Sequence, residues 1–157
     1  MALRTTTLKA ALCAAGIAGA SIFTAGTAGA NVQNFGATEQ AVDGPLVTDY
    51  TVTNLRPTDV VIPGFQPAGK LYQADVTAKS DAGTVQPQIS RFMARAFNGT
   101  VYPVVNKGPV PNGLDPSPID QGRQTSGELY FDVTGQPPIG VVYTDKDDDF
   151  LVWTRHV

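Results

Sequence analysis

Cysteine occurs once in this chain, at Cys13, so no intramolecular disulfide can staple the fold and an apolar core has to hold it together. Histidine also occurs once, at His156, one residue from the end, where it could act as a base only if the terminus were anchored. None of Ser80, Ser90, Ser117 and Ser126 stands in a Gly-x-Ser-x-Gly elbow, which removes the usual setting of an activated hydroxyl. Basic residues are scattered singly and outnumbered, 11 against 14 acidic, so the chain lacks the clustered cations that a nucleic acid or an anionic lipid surface demands. No apolar run reaches the ~20 residues needed to span a bilayer.

The longest apolar run, 10–23, instead follows Arg4 and Lys9 and precedes Ala28-Gly29-Ala30, a small-x-small cleavage site. Residues 1–30 therefore read as a secretory signal peptide, and 31–157 as one exported domain. Leu12 ahead of Cys13 argues against lipidation, and removal of the leader leaves nine basic residues against fourteen acidic. The expected location is extracellular, with the cell envelope as a second possible station. A domain of this length can bury about two-thirds of its unfolded surface without help from metals or bridges.

Val, Thr, Tyr and Phe recur at period two between Gly and Pro breaks, and no amphipathic helix is visible, so the domain reads as all-β. A weak strand over 33–42 is expected to turn at Asp43-Gly44 into a strand over 46–55, with Leu46, Thr48, Tyr50 and Val52 on one face. Short strands follow over 60–62 and 70–79, the latter placing Tyr72, Ala74, Val76 and Ala78 inward and Gln73 and Asp75 toward solvent. Segments 89–97 and 100–105 flank Asn98-Gly99, the preferred centre of a type I′ turn, with Phe92, Ala94 and Ala96 inward and Arg91 and Arg95 on the outer face. Pro87 and Pro103 belong at edges or bulges. After a proline-rich connection over 106–126, strands are expected over 128–133, 139–143 and 150–154, with Leu129, Phe131, Val133, Leu151 and Trp153 inward. Eight or nine such strands make a sandwich of two antiparallel sheets.

Candidate sites are few. Asp145, Asp147 and Asp149 alternate like the start of a calcium loop, but Phe150 stands where the turn glycine should be and no bidentate glutamate follows, so a solvated turn is the better reading. Glu39 and Glu128 are the only glutamates, and nothing in their spacing selects a glycosidase pair. Asn98-Gly99-Thr100 matches a glycosylation acceptor but is explained by turn geometry. Tyr130, expected to face outward between Glu128 and Asp132, is a candidate partner contact.

Taken together, Val61-Ile62-Pro63-Gly64, Pro67-Ala68-Gly69, Ser90-x-Phe92-x-Ala94-Arg95, the run Ser126-Gly127-x-x-Tyr130-Phe131-Asp132-Val133-Thr134-Gly135 and the ending Asp148-x-x-Leu151-x-Trp153 resemble the small secreted immunogenic proteins of mycobacteria, the MPT/MPB "sixty-three" antigens. The resemblance spans almost all of 31–157 and departs in the proline-rich connection and in the acidity before Phe150. It implies an immunoglobulin-like β-sandwich and a secreted product recognised by the host, with no enzymatic activity, cofactor or catalytic residue to carry over. The resulting expectation is a monomeric, antigen-like extracellular module that interacts with a protein or a carbohydrate, its partner a host or envelope protein. The alternatives are an accessory protein of the cell envelope and an enzyme of unrecognised type. No catalytic, cofactor-binding or metal-ligating residue is assigned.

Overall fold

The computed structural model describes residues 31–145 and 148–155; the leader, Asp147 and His156 lie outside it, as do the side chains of Asp145, Asp148, Asp149 and Phe150. Among the described residues nine strands form two sheets: β1 (Asn31–Asn34), β2 (Thr38–Asp43), β3 (Leu46–Pro57), β4 (Lys70–Ala82), β5 (Phe92–Ala96), β6 (Val101–Pro103), β7 (Gln124–Val133), β8 (Pro138–Asp145) and β9 (Asp148–Thr154). One sheet has the order β1-β9-β8-β5-β6 and the other β2-β3-β4-β7, giving the expected all-β sandwich. All neighbours pair antiparallel except β1, which runs parallel to β9.

The alternating apolar residues meet between the sheets. Tyr50 and Val52 of β3, Ala74, Val76 and Ala78 of β4, and Leu129, Phe131 and Val133 of β7 face Phe92, Ala94 and Ala96 of β5, Val141 and Tyr143 of β8 and Leu151 and Trp153 of β9. Phe92 sits among Tyr50, Tyr143 and Trp153 with ring centroids 5.2, 5.0 and 6.4 Å away. The Trp153 indole N–H donates to the Ala37 carbonyl at 2.9 Å, so the ring is buried with its polar atom satisfied.

Several local expectations are corrected. The weak run over 33–42 is two strands in different sheets, because the chain turns at Phe35–Ala37, where the Gly36 N–H donates to Val52 and the Ala37 N–H to Asn34. Residues 60–62 form no strand; β3 instead continues to Pro57 past a bulge at Asn54, whose φ is 54°. Residues 89–91 form a single 3₁₀ turn, so β5 begins only at Phe92.

The β5–β6 turn is not type I′. Asn98 is absent from the residues with positive φ, Gly99 has φ 86°, and the Gly99 N–H donates to Ala96 while the Ala96 N–H donates to Thr100. That is a type I turn closed by a glycine bulge, the usual three-residue hairpin loop. Pro103 does lie on the edge strand β6, where its missing donor costs no ladder bond.

The proline-rich connection is no free arm. Val85 and Ile119 exchange two backbone hydrogen bonds, the Val105 N–H donates to Tyr130, and Leu114 and Ile119 enter the main core. Gly127 permits this, since a Cβ there would lie 2.4 Å from the Leu114 nitrogen. Together with residues around 60–65, the start of this connection closes over the outer face of β4 and β7 and makes a second small core of Ile62, Leu71, Val105 and Tyr130.

Candidate functional site

The second core removes Tyr130 from the surface. Its parity places it on the outer face of β7, as the alternation requires, but the covering segments leave it 1 % exposed, and its hydroxyl lies within hydrogen-bond reach of the Pro111 carbonyl and the Glu128 carboxylate, which share its single proton. Burial, and then Glu128, push the phenol up, so it remains a donor at every physiological pH. Gln73, expected in solvent, is buried beside it and donates to Glu128 at 3.0 Å. Tyr130→Phe is expected to destabilise by ~1–3 kcal/mol, because the Pro111 carbonyl and the Glu128 carboxylate lose the buried donor they share. A urea unfolding midpoint unchanged by this substitution would contradict the burial.

Asp75 and Glu128 stand directly opposite each other on β4 and β7 and line a shallow groove of about 430 Å³ with Thr51, Thr53, Thr77 and Ser126. Two carboxylates in register suggest a glycosidase pair, yet each is already engaged. Asp75 accepts from Asn54 at 2.6 Å and lies 3.4 Å from Arg56, while Glu128 is held by Gln73 and Tyr130. The groove is a satisfied polar surface.

Concavity and convergent polar groups coincide at one end of the sandwich. There the β2–β3 hairpin, the segment 84–91 and β8 enclose a cleft of about 590 Å³, within the range of ligand sites. Its base is formed by Tyr50 and Tyr143, ring centroids 5.0 Å apart, with the Gln88 N–H donating to the Tyr50 hydroxyl at 3.4 Å. Burial, followed by the neighbouring Tyr143, pushes Tyr50 up, so its phenol stays protonated. The Arg91 guanidinium carbon lies 5.9 Å from the centre of the Tyr143 ring. Arg91 was expected on the outer face; the 3₁₀ turn breaks the two-residue alternation ahead of β5 and brings it into the cleft wall. Gln86, Gln88, Thr48, Thr84 and Asp43 complete the polar lining, and Ala41, Val42, Leu46 and Val85 the apolar part.

Among the described residues Glu39 is the one fully buried carboxyl, 2 % exposed, pointing inward from the edge strand β2 opposite Tyr50. Burial pushes it up to about 7 against the opposing pull of the Val152 backbone N–H, and neither of its oxygens makes a hydrogen bond of ordinary geometry. It lines neither the cleft nor the groove. A raised carboxyl in a concave site would mark acid–base chemistry, and here the two features are separate. No cluster of three metal-ligating side chains occurs among the described residues, and the aspartates of the candidate calcium loop fall outside them.

Ser80 is fully buried and donates to the Gly83 carbonyl, and Ser126 shares a hydrogen bond with Thr77, so these hydroxyls serve the sheet. Asn98 caps its turn by accepting from the Thr100 N–H at 3.1 Å. The cleft itself had no sequence motif. Its members come from three separate segments, and the one available signal was the Val85-Gln86-Pro87-Gln88 run, which breaks the strand pattern before Phe92.

A family model described as a domain of unknown function (DUF1942) matches residues 30–153. The chain is 36 % identical over 110 residues to the immunogenic protein MPB63 of Mycobacterium bovis, covering 70 % of this chain and 69 % of that protein. The same figures hold for the immunogenic protein MPT63 of Mycobacterium tuberculosis. The crystal structure of MPT63, a secreted protein from Mycobacterium tuberculosis, superimposes with a TM-score of 0.78 at 32 % identity, covering 82 % of this chain and 99 % of that one.

Proposed function

The chain belongs to the DUF1942 family, and from that membership we propose that it is an exported, antigen-like protein whose molecular task is to bind a neutral, hydroxyl-rich carbohydrate in the cleft over Tyr50 and Tyr143. Secretion is supported by the secreted relative of matching fold and by the leader-like pattern of residues 1–30. The carrying observation is the chemistry of the cleft. Protonated phenols, the Arg91 guanidinium and amide N–H groups can donate, whereas amide carbonyls, threonine hydroxyls and Asp43 can accept. One cation and one anion leave the lining balanced, which disfavours a strongly charged ligand. A sugar ring matches such a mixture, since each hydroxyl both donates and accepts while the C–H face meets Val42, Leu46 and Val85.

This reading moves the interaction away from Tyr130 and the proline-rich connection, both of which are committed to packing. It assigns no catalytic step, because the raised carboxyl lies outside the cleft. Calorimetric titration of the exported protein with soluble gluco-, manno- and galacto-oligosaccharides tests it. At least one is expected to bind, with Gln88→Ala and Asp43→Ala each weakening it about tenfold, the equivalent of ~1.4 kcal/mol. Binding unaffected by both substitutions would refute the cleft as the site.

A further inference from the structure

The Tyr50–Tyr143 cleft does not end at its glutamine wall. Gln86 and Gln88, which line it, also line a second hollow of about 380 Å³, completed mainly by Pro87, Ser90, Asn106 and Pro116. Val85 and Pro87 are buried while Gln86 and Gln88 are exposed, so the extended segment lies against the body with two amide side chains standing up as a ridge between the hollows. The ridge is held from both ends. Val85 exchanges hydrogen bonds of 3.0 and 2.7 Å with Ile119, the Gln88 carbonyl accepts from the Arg91 N–H at 3.0 Å, and the Gln88 side-chain amide donates to the Gln86 carbonyl at 3.3 Å. A ligand crossing it meets a fixed surface, which lowers the ordering cost of binding.

No charged residue lines the second hollow. Asp115, beside Pro116, accepts from the Ser117 N–H at 2.8 Å, so its carboxylate is engaged in its own turn. The proline-rich connection is packed through Leu114 and Ile119, yet Asn106 and Pro116 stay exposed and contribute to the lining. Amides, one hydroxyl and proline C–H faces make the same neutral mixture as in the larger cleft, without its single ion of each sign. Given the carbohydrate reading of the cleft, on which this step rests, we infer that the two hollows are adjacent subsites and that the ligand is a neutral oligosaccharide of at least two rings lying across the glutamine ridge. One ring sits over Tyr50 and Tyr143, and the next lies by Ser90 and Asn106 with a C–H face toward Pro116. The glutamines suit the crossing, because each amide can donate to one hydroxyl and accept from another. Once the first ring is seated, the second meets its subsite at high effective concentration, so two weak contacts add up.

Calorimetric titration of the exported protein with the methyl glycosides of glucose, mannose and galactose, beside their tetrasaccharides, tests this. In at least one series the tetrasaccharide is expected to bind at least ~10-fold more tightly than the glycoside. Ser90→Ala combined with Asn106→Ala is expected to cut that ratio at least ~3-fold. Val61→Ala, at a valine that is 82 % exposed and lines neither hollow, should preserve it, and both variants should keep the parent's circular dichroism. In amide spectra, Ser90 and Asn106 are expected to shift with the tetrasaccharide and not with the glycoside. Equal affinity of the two ligands, or a length gain indifferent to the Ser90 and Asn106 substitutions, would overturn the second subsite and leave the cleft reading standing. Binding of neither ligand in any series would overturn both.

Discussion

Phe92→Ala is expected to lower the stability of the domain by ~3–5 kcal/mol, the usual cost of deleting a fully enclosed ring. Phe92 is 0 % exposed and touches aromatic rings on both sheets: Tyr50 of β3 on one side, Tyr143 of β8 and Trp153 of β9 on the other. Removing it empties the junction between the sheets and also forfeits edge-on ring contacts, each worth ~0.5–1.5 kcal/mol beyond its area. A domain with a total stability of ~5–15 kcal/mol and no disulfide is left marginal by such a loss. Differential scanning calorimetry should show a melting point lower by roughly 10–20 °C. A shift of a degree or two would mean that the ring does not bridge the sheets.

The second large effect is electrostatic and reverses with pH. Glu39 has its pKa raised from 4.5 to about 7, so the folded state prefers its neutral form. Below about pH 4.5 the carboxyl is protonated folded or unfolded, and the site imposes no ionisation cost. Between about 4.5 and 7 only the unfolded chain ionises, so the contribution of this group to stability falls as pH rises. Above 7 the full penalty, on the order of 3 kcal/mol, is present. Glu39→Gln, which cannot ionise, should therefore gain about that much relative to the parent between pH 4.5 and pH 8, on top of any pH-independent change from burying an amide. Urea unfolding of both proteins at the two pH values measures it. An identical difference at both would show that the carboxyl is not desolvated. An inward charge on an edge strand also discourages wrong strand pairing, which gives this costly placement a structural use.

Strand alternation made the interior legible: Tyr50 and Val52, Ala74 to Ala78, Phe92 to Ala96, Leu129 to Val133, and Leu151 with Trp153 all face the core as their spacing indicates. What alternation cannot report is whether an outward face is covered. Tyr130 and Gln73 point outward as their positions require, yet long-range packing of residues 60–65 and 105–110 buries them. The Asn98-Gly99 dipeptide suits more than one tight turn, so it located the hairpin and misassigned its type. The cleft was invisible for the same reason as the second core. Tyr143, Gln88 and Asp43 are brought together by sheet order and by the 3₁₀ turn at Ile89–Arg91, and neither leaves a periodic trace in the sequence.

The binding role assigned to the Tyr50–Tyr143 cleft is tested most directly by recording amide chemical shifts of the ¹⁵N-labelled exported protein during titration with the oligosaccharides named above. Shifts concentrated at Asp43, Thr84, Gln86, Gln88 and Arg91 are the predicted result. Shifts confined to the outer sheet faces, or none at millimolar sugar, would contradict it.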